Sequence, residues 1–347
     1  MSVKARIQAL VARPISWVRK KSAEYLARRP HRSFRRTRRR DYARSLKLPG
    51  LLAFTHQVNR MLWAYRKTFA LLVVFYAILT GILVGIASQE TYTSLTSTLR
   101  DTTSAIFDGD LSQLGEAGLI FLSIASSGIS DSPTEAQQIY GVLMALLAWL
   151  TTVWLLRNFL AGHKVKLRDG LYSAGAPLVP TFLVALVLIV QLVPVALAVL
   201  GYTAASASGL LAAGGVEAML FWIAAGLLGL LSLYLVASTF FALIIVTLPG
   251  MYPLRALRAA GDIVIGRRIR ILIRLLWMVL SVFVIWGLVL IPFILLDTWL
   301  KATWPAIQWL PIIPVVMLAL GSYTIVWSSS YVYLLYRKVV DDEAKPA

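Results

Sequence analysis

The chain has 347 residues, 59% of them hydrophobic and only 14% charged, with a formal net charge of +18. Soluble globular domains are closer to half apolar and a quarter charged, so this balance points to a membrane protein. Cysteine is absent, which rules out disulfides, thiolate nucleophiles and Cys-ligated metals and leaves the redox compartment unread.

The charge is segregated. Residues 1–68 carry 19 Lys and Arg against Glu24 and Asp41, and read as a basic cytoplasmic tail. Within it Ile7, Leu10, Val11, Ile15 and Val18 recur at helical spacing, kinked at Pro14, as in a helix lying among anionic headgroups. Pro30 to Arg44, with Arg35, Arg36, Arg38, Arg39 and Arg40, reads as an unfolded basic run. Its expected partner is anionic lipid. His31, Phe34 and Tyr42 interleave with Arg, which makes nucleic acid an alternative. An acidic protein partner is another. The Arg density outruns a cleavable mitochondrial presequence, and the first apolar run starts near Phe69, too late for a signal peptide. Leu51 to Tyr65 offers Leu51, Leu52, Val58, Met61, Leu62 and Tyr65 to lipid or to the bundle, and is expected to run straight into the first span.

A bilayer core needs about 20 apolar residues in helical form. Six stretches qualify: Phe69–Ser88, Ile139–Leu160, Ala176–Leu200, Ala218–Leu248, Leu275–Leu296 and Leu310–Tyr336. The predicted fold is therefore all-α and polytopic, with a membrane domain over 69–340, an outer loop over 89–138 and a short tail over 341–347. Placing both termini inside puts 32 of the 34 basic residues on the cytoplasmic side. The outer loop then holds Arg100 against Glu90, Asp101, Asp108, Asp110, Glu116, Asp131 and Glu135. The fourth connection, inside, holds Arg255, Arg258, Arg267, Arg268, Arg270 and Arg274, a second basic patch for lipid or a partner. The expected location is the plasma membrane of a bacterium. The outer loop also has an apolar run, Gly118 to Ile129, too short to span, and an Asp108–Gly109–Asp110 turn.

Leu167 to Gly175 and Leu254 to Gly261 are similar amphipathic segments, each leading into a span that carries a proline, Pro194 or Pro292. The hairpins 176–248 and 275–336 read as a duplicated unit. This arrangement, over residues 140–340, resembles the membrane domain that accompanies some bacterial glycerophosphodiester phosphodiesterases, and related candidate-phylum integral membrane proteins. The resemblance implies a membrane fold. It transfers no activity, because the catalytic barrel of those enzymes has no counterpart in this sequence.

Ala77, Gly81 and Gly85 form a small-residue stripe suited to helix packing, with homodimerisation as the alternative. Gln191, three residues before Pro194, is the candidate intramembrane polar site. No span centre carries an ionisable residue, whereas coupled transporters usually need one at depth. His31, His56 and His163 lack metal-ligand spacing, Ser126 and Ser127 lack a nearby base, and no Walker A motif occurs. No metal, cofactor or catalytic site is expected. The expected function is a non-enzymatic accessory or scaffold protein; the alternative is a lipid or small-solute transporter with a path between the two hairpins.

Overall fold

The computed structural model describes residues 48–85, 134–209, 215–265, 267–304 and 310–343. The chain divides into Met1–Lys47 and Leu48–Ala347, and every described residue belongs to the second unit. The described residues form helices and no strand. These are α1 Leu51–Ala64, α2 Arg66–Leu83, α3 Glu135–Leu160, α4 Leu167–Ala174 and α5 Leu178–Ala207. Then come α6 Gly215–Ile245, α7 Pro253–Val264, α8 Arg268–Thr303 and α9 Ile312–Glu343. Six of them, α2, α3, α5, α6, α8 and α9, are long and apolar enough to cross a membrane.

Local chemistry sets several of the ends. Thr134 and Gln137 open α3 with a reciprocal capping box: Gln137 N–H donates to Thr134 Oγ1 (3.3 Å) and Thr134 N–H to Gln137 Oε1 (2.9 Å). At the start of α4, Lys166 N–H donates to Asp169 Oδ2 (3.0 Å), and α7 begins on Pro253, whose ring suits the first helical position. The first span closes earlier than its apolar run suggests, because Gly85 has φ +102° and turns the chain just after Leu83. Gly85 is thus a terminator rather than the third small residue of a packing stripe. Ala77 and Gly81 are half-buried on α2.

The spans fall into two classes. In α3, α6 and α9, 44%, 44% and 50% of the most apolar window is buried, against 17%, 6% and 11% in α2, α5 and α8. The more buried three are the inner helices and the other three the outer ones, α6 being buried mainly towards its C-terminal end. The order along the chain repeats as short helix, outer helix, inner helix: α1–α2–α3, α4–α5–α6 and α7–α8–α9. Contacts repeat in the same cycle. Each outer helix touches its own inner helix and the preceding inner one: α2 touches α3 and α9, α5 touches α6 and α3, α8 touches α9 and α6. Each short helix packs on the preceding inner helix, α4 on α3, α7 on α6, and α1 on α9. The duplication expected from sequence is a triplication, with α1–α2–α3 as its first copy.

The repeated close approach has a visible cause. The short helices α4 and α7 each bury two small residues four apart, Gly170 and Ala174, then Ala256 and Ala260. Such pairs lie one above the other on a helix and let the backbone come close to its neighbour.

Candidate functional site

All three short helices lie at one end of the bundle, where the inner helices finish and the outer ones begin. Every described Lys and Arg except Lys301 lies at this end. Near the opposite end α3 and α6 start with Glu135 and Glu217, and α8 there holds Asp297, fully buried, with Lys301 Nζ 2.9 Å from its Oδ2.

At the basic end α1 is anchored by polar bonds from both long helices of the third copy, α8 and α9. Trp277 Nε1 donates to Thr55 Oγ1 (3.0 Å) and Trp327 Nε1 to Asn59 Oδ1 (2.8 Å). Arg274 donates to the Pro49 carbonyl and lies over the Phe54 ring, 5.4 Å from its centroid. Phe54 meets Tyr331 edge-on at 4.9 Å. Phe54, Val58 and Leu62 face inward, whereas Leu52 and Trp63 are exposed. The helix expected to face lipid or bundle thus faces the bundle with Val58 and Leu62, and Tyr65 (φ −114°, ψ 31°) separates it from α2.

Three corresponding junctions lie at this end, each where an inner helix, the next short-to-outer turn and the next inner helix meet. At the junction of the second and third copies, Arg267 is buried and donates to the Val339 carbonyl (3.5 Å), while Phe241 meets Tyr336 edge-on at 5.9 Å. At the junction of the third and first, Tyr65 stacks flat on Phe159 (4.1 Å, 4°), beside a cavity of about 200 Å³ lined by Gln57, Leu160, Leu334, Arg337 and Lys338. The junction of the first and second copies is open. It forms a cleft of about 430 Å³ between α3, the α4–α5 turn and the α6–α7 connection.

That cleft is walled by Leu150, Trp154, Ala174, Val246 and three prolines, Pro177, Pro180 and Pro249, with Ser173 at its edge. Its one charged group is Arg157, in the last turn of α3. The guanidinium donates to the Thr247 carbonyl (3.2 Å) and to Thr247 Oγ1 (2.6 Å), both uncharged, and no carboxylate among the described residues pairs with it. A cation on an apolar wall, held by neutral acceptors, is chemically suited to an anionic amphiphile.

The residues singled out by sequence are dispersed. Arg35, Arg36, Arg38, Arg39 and Arg40 lie outside the described residues, as do the outer-loop apolar run, the Asp108–Gly109–Asp110 turn and Ser126 and Ser127. Arg267 plugs its junction. Arg268 lies 4.0 Å from the centroid of the Tyr234 ring and donates to the Tyr234 carbonyl (3.2 Å). Arg270 is exposed. Gln191 is engaged between helices: its Oε1 accepts from Thr239 Oγ1 (2.6 Å), and one turn on, Val195 N–H, adjoining Pro194, donates to Ser232 Oγ (3.2 Å). Pro194 and Pro292 sit inside continuous helices. Arg157 is absent from the residues singled out by sequence, although it is the sole charged residue in the Ile139–Leu160 span. That isolation was the available signal. No family model, curated protein or solved structure matches the chain.

Proposed function

We propose that the chain is a polytopic integral membrane protein of a bacterial plasma membrane, with both termini in the cytoplasm. It acts as an accessory or scaffold unit without chemistry of its own. Its basic end grips anionic lipid, and the tail of residues 1–47 offers a handle to a partner. The observation that carries this reading is the charge distribution: all described Lys and Arg but Lys301 lie at one end of the six-helix bundle, where they outnumber the acids, while the other end holds Glu135, Glu217 and Asp297. A positive end of this kind belongs on the cytoplasmic side, where each basic residue near an anionic surface contributes about 1 kcal/mol. The exposed side chains of α5 and α8, such as Ile189, Val190, Leu197, Leu280, Val284 and Leu288, suit contact with acyl chains. The likeness to the membrane domain of glycerophosphodiester phosphodiesterases enters this reading as architecture only.

Polar side chains that bond from helix to helix favour a scaffold over a transport path. Gln191 is held by Thr239, Tyr76 by Thr151 (2.9 Å) and Trp286 by Thr324 (2.9 Å). The test is a mild-detergent pull-down of the full chain and of a variant lacking residues 1–47, with bound lipids, proteins and nucleic acid identified. Anionic lipid on both forms, and a defined protein partner on the full chain alone, is the expected result. The same specific solute on both forms, with neither anionic lipid nor partner, would overturn the reading in favour of transport.

A further inference from the structure

The three junctions at the basic end are built to one plan, and in two of them the short-to-outer turn sends a large side chain across. Buried Arg267 occupies one, and Tyr65 lies flat on Phe159 in another. The third has Gly175, Ala176 and Pro177 in the corresponding short-to-outer turn, residues too small to reach across, and there the 430 Å³ cleft stands open. We infer that this cleft is a binding site for one anionic phospholipid, whose phosphate meets Arg157 and whose acyl chains run over the apolar wall towards α5.

The inference rests on the membrane reading above and deepens it. Each part of the occupant has a counterpart. Arg157 keeps N–H groups beyond the two given to Thr247, and a guanidinium fork matches phosphate geometry. Ser173 adds a hydroxyl at the edge, while Pro177, Pro180 and Pro249 offer no N–H, so the cation dominates the polar side. Below it, the partly exposed Trp154, Pro177 and Pro180 continue into the exposed apolar surface of α5, where Phe182, Leu183 and Leu186 lie open. A soluble anion would leave this wall bare; a lipid covers it. The volume lies within the range of small-molecule sites.

The test uses the full chain in nanodiscs of phosphatidylcholine with a minor fraction of phosphatidylglycerol, followed by native mass spectrometry of lipid retained after release. The expected result is one phosphatidylglycerol held in preference to phosphatidylcholine. Arg157→Gln weakens retention about tenfold, the effect of losing a charge-assisted hydrogen bond. That substitution also removes the tie to Thr247, so Ala176→Tyr provides an independent check. It copies the tyrosine plug of another junction, starts from an exposed turn residue and leaves Arg157 in place. It is expected to release the lipid, whereas Arg255→Gln, an exposed charge outside the cleft, leaves it bound. Wild-type retention by Ala176→Tyr, equal retention of phosphatidylcholine, or displacement of the lipid by millimolar inorganic phosphate would each overturn the inference. Failure of the wild-type chain to enter nanodiscs at all would instead sink the membrane reading.

Discussion

Gly170 sits where α4 packs tightly on α3. A Cβ there would lie 3.0 Å from Leu155 Cδ2 and Cγ and 3.3 Å from Thr151 Cγ2, and Leu155 is fully buried with nowhere to retreat. Gly170→Ala sets this clash against the helix propensity that alanine gains, so Gly170→Val is the cleaner probe. It is expected to cost roughly 1–3 kcal/mol, the usual price of overpacking, seen as a lower midpoint of thermal unfolding in detergent. Gly226 and Gly287 are the controls, since a Cβ at either meets nothing within 4 Å; their alanine variants should unfold at or above the wild-type midpoint. The bond from Trp327 Nε1 to Asn59 Oδ1 makes a second residue-scale case, because it joins positions 268 apart in sequence. Asn59→Ala and Trp327→Phe are each expected to destabilise the protein by about 1 kcal/mol. In a double-mutant cycle the second change should add less than its cost alone. Full additivity would show that the bond contributes nothing.

Among elements, the long apolar runs were legible at once, because about 20 apolar residues in a row have few soluble explanations. Their ends were not. The run through Ser88 stays apolar past Leu83, and only the positive φ at Gly85 reveals the stop. Nor was the role of α1 legible. Its inward stripe Phe54, Val58 and Leu62 has the same periodicity as a helix lying on lipid, and periodicity records that a face is apolar, not what covers it. The first copy of the repeat escaped notice for a related reason: residues 86–133 stand between α2 and α3, whereas the other copies join their spans by short connections. Cleft and charges divide in the same way. Arg157 stands out as a lone cation in an apolar span, but its meeting with Thr247, 90 residues away, is a product of packing. The α1 assignment leads to a truncation test. Removing residues 1–47 leaves α1 and its bonds to Trp277 and Trp327, and should leave the unfolding midpoint unchanged. Removing residues 1–64 strips Phe54 and Val58, both fully buried, from α9 and α8, and should lower the midpoint sharply or abolish folding. Equal stability of the two truncations would mean that α1 is a dispensable surface helix.

At the scale of the whole molecule, the cyclic contact pattern ties orientation to charge. Each copy starts with its short helix at the basic end, crosses by its outer helix and returns by its inner helix, so the three short helices share one side by construction. The Arg and Lys of that side then act together. Reversing the bundle in the membrane would carry Arg157, Arg255, Arg258, Arg267, Arg268, Arg270, Arg274 and Arg337 across the bilayer at once, a cost that no single substitution offsets. The absence of cysteine makes this directly measurable, because any introduced thiol is the only one in the chain. Lys164→Cys lies in the α3–α4 connection and Ser208→Cys at the far end of α5, and both positions are exposed. In right-side-out bacterial vesicles an impermeant maleimide is expected to label the thiol at 208 and spare that at 164. In inverted vesicles the pattern should exchange. Labelling of both from one side would leave the six apolar helices without the orientation proposed for them. Labelling at 164 from outside alone would place the basic end, and with it the Arg157 cleft, against the outer leaflet.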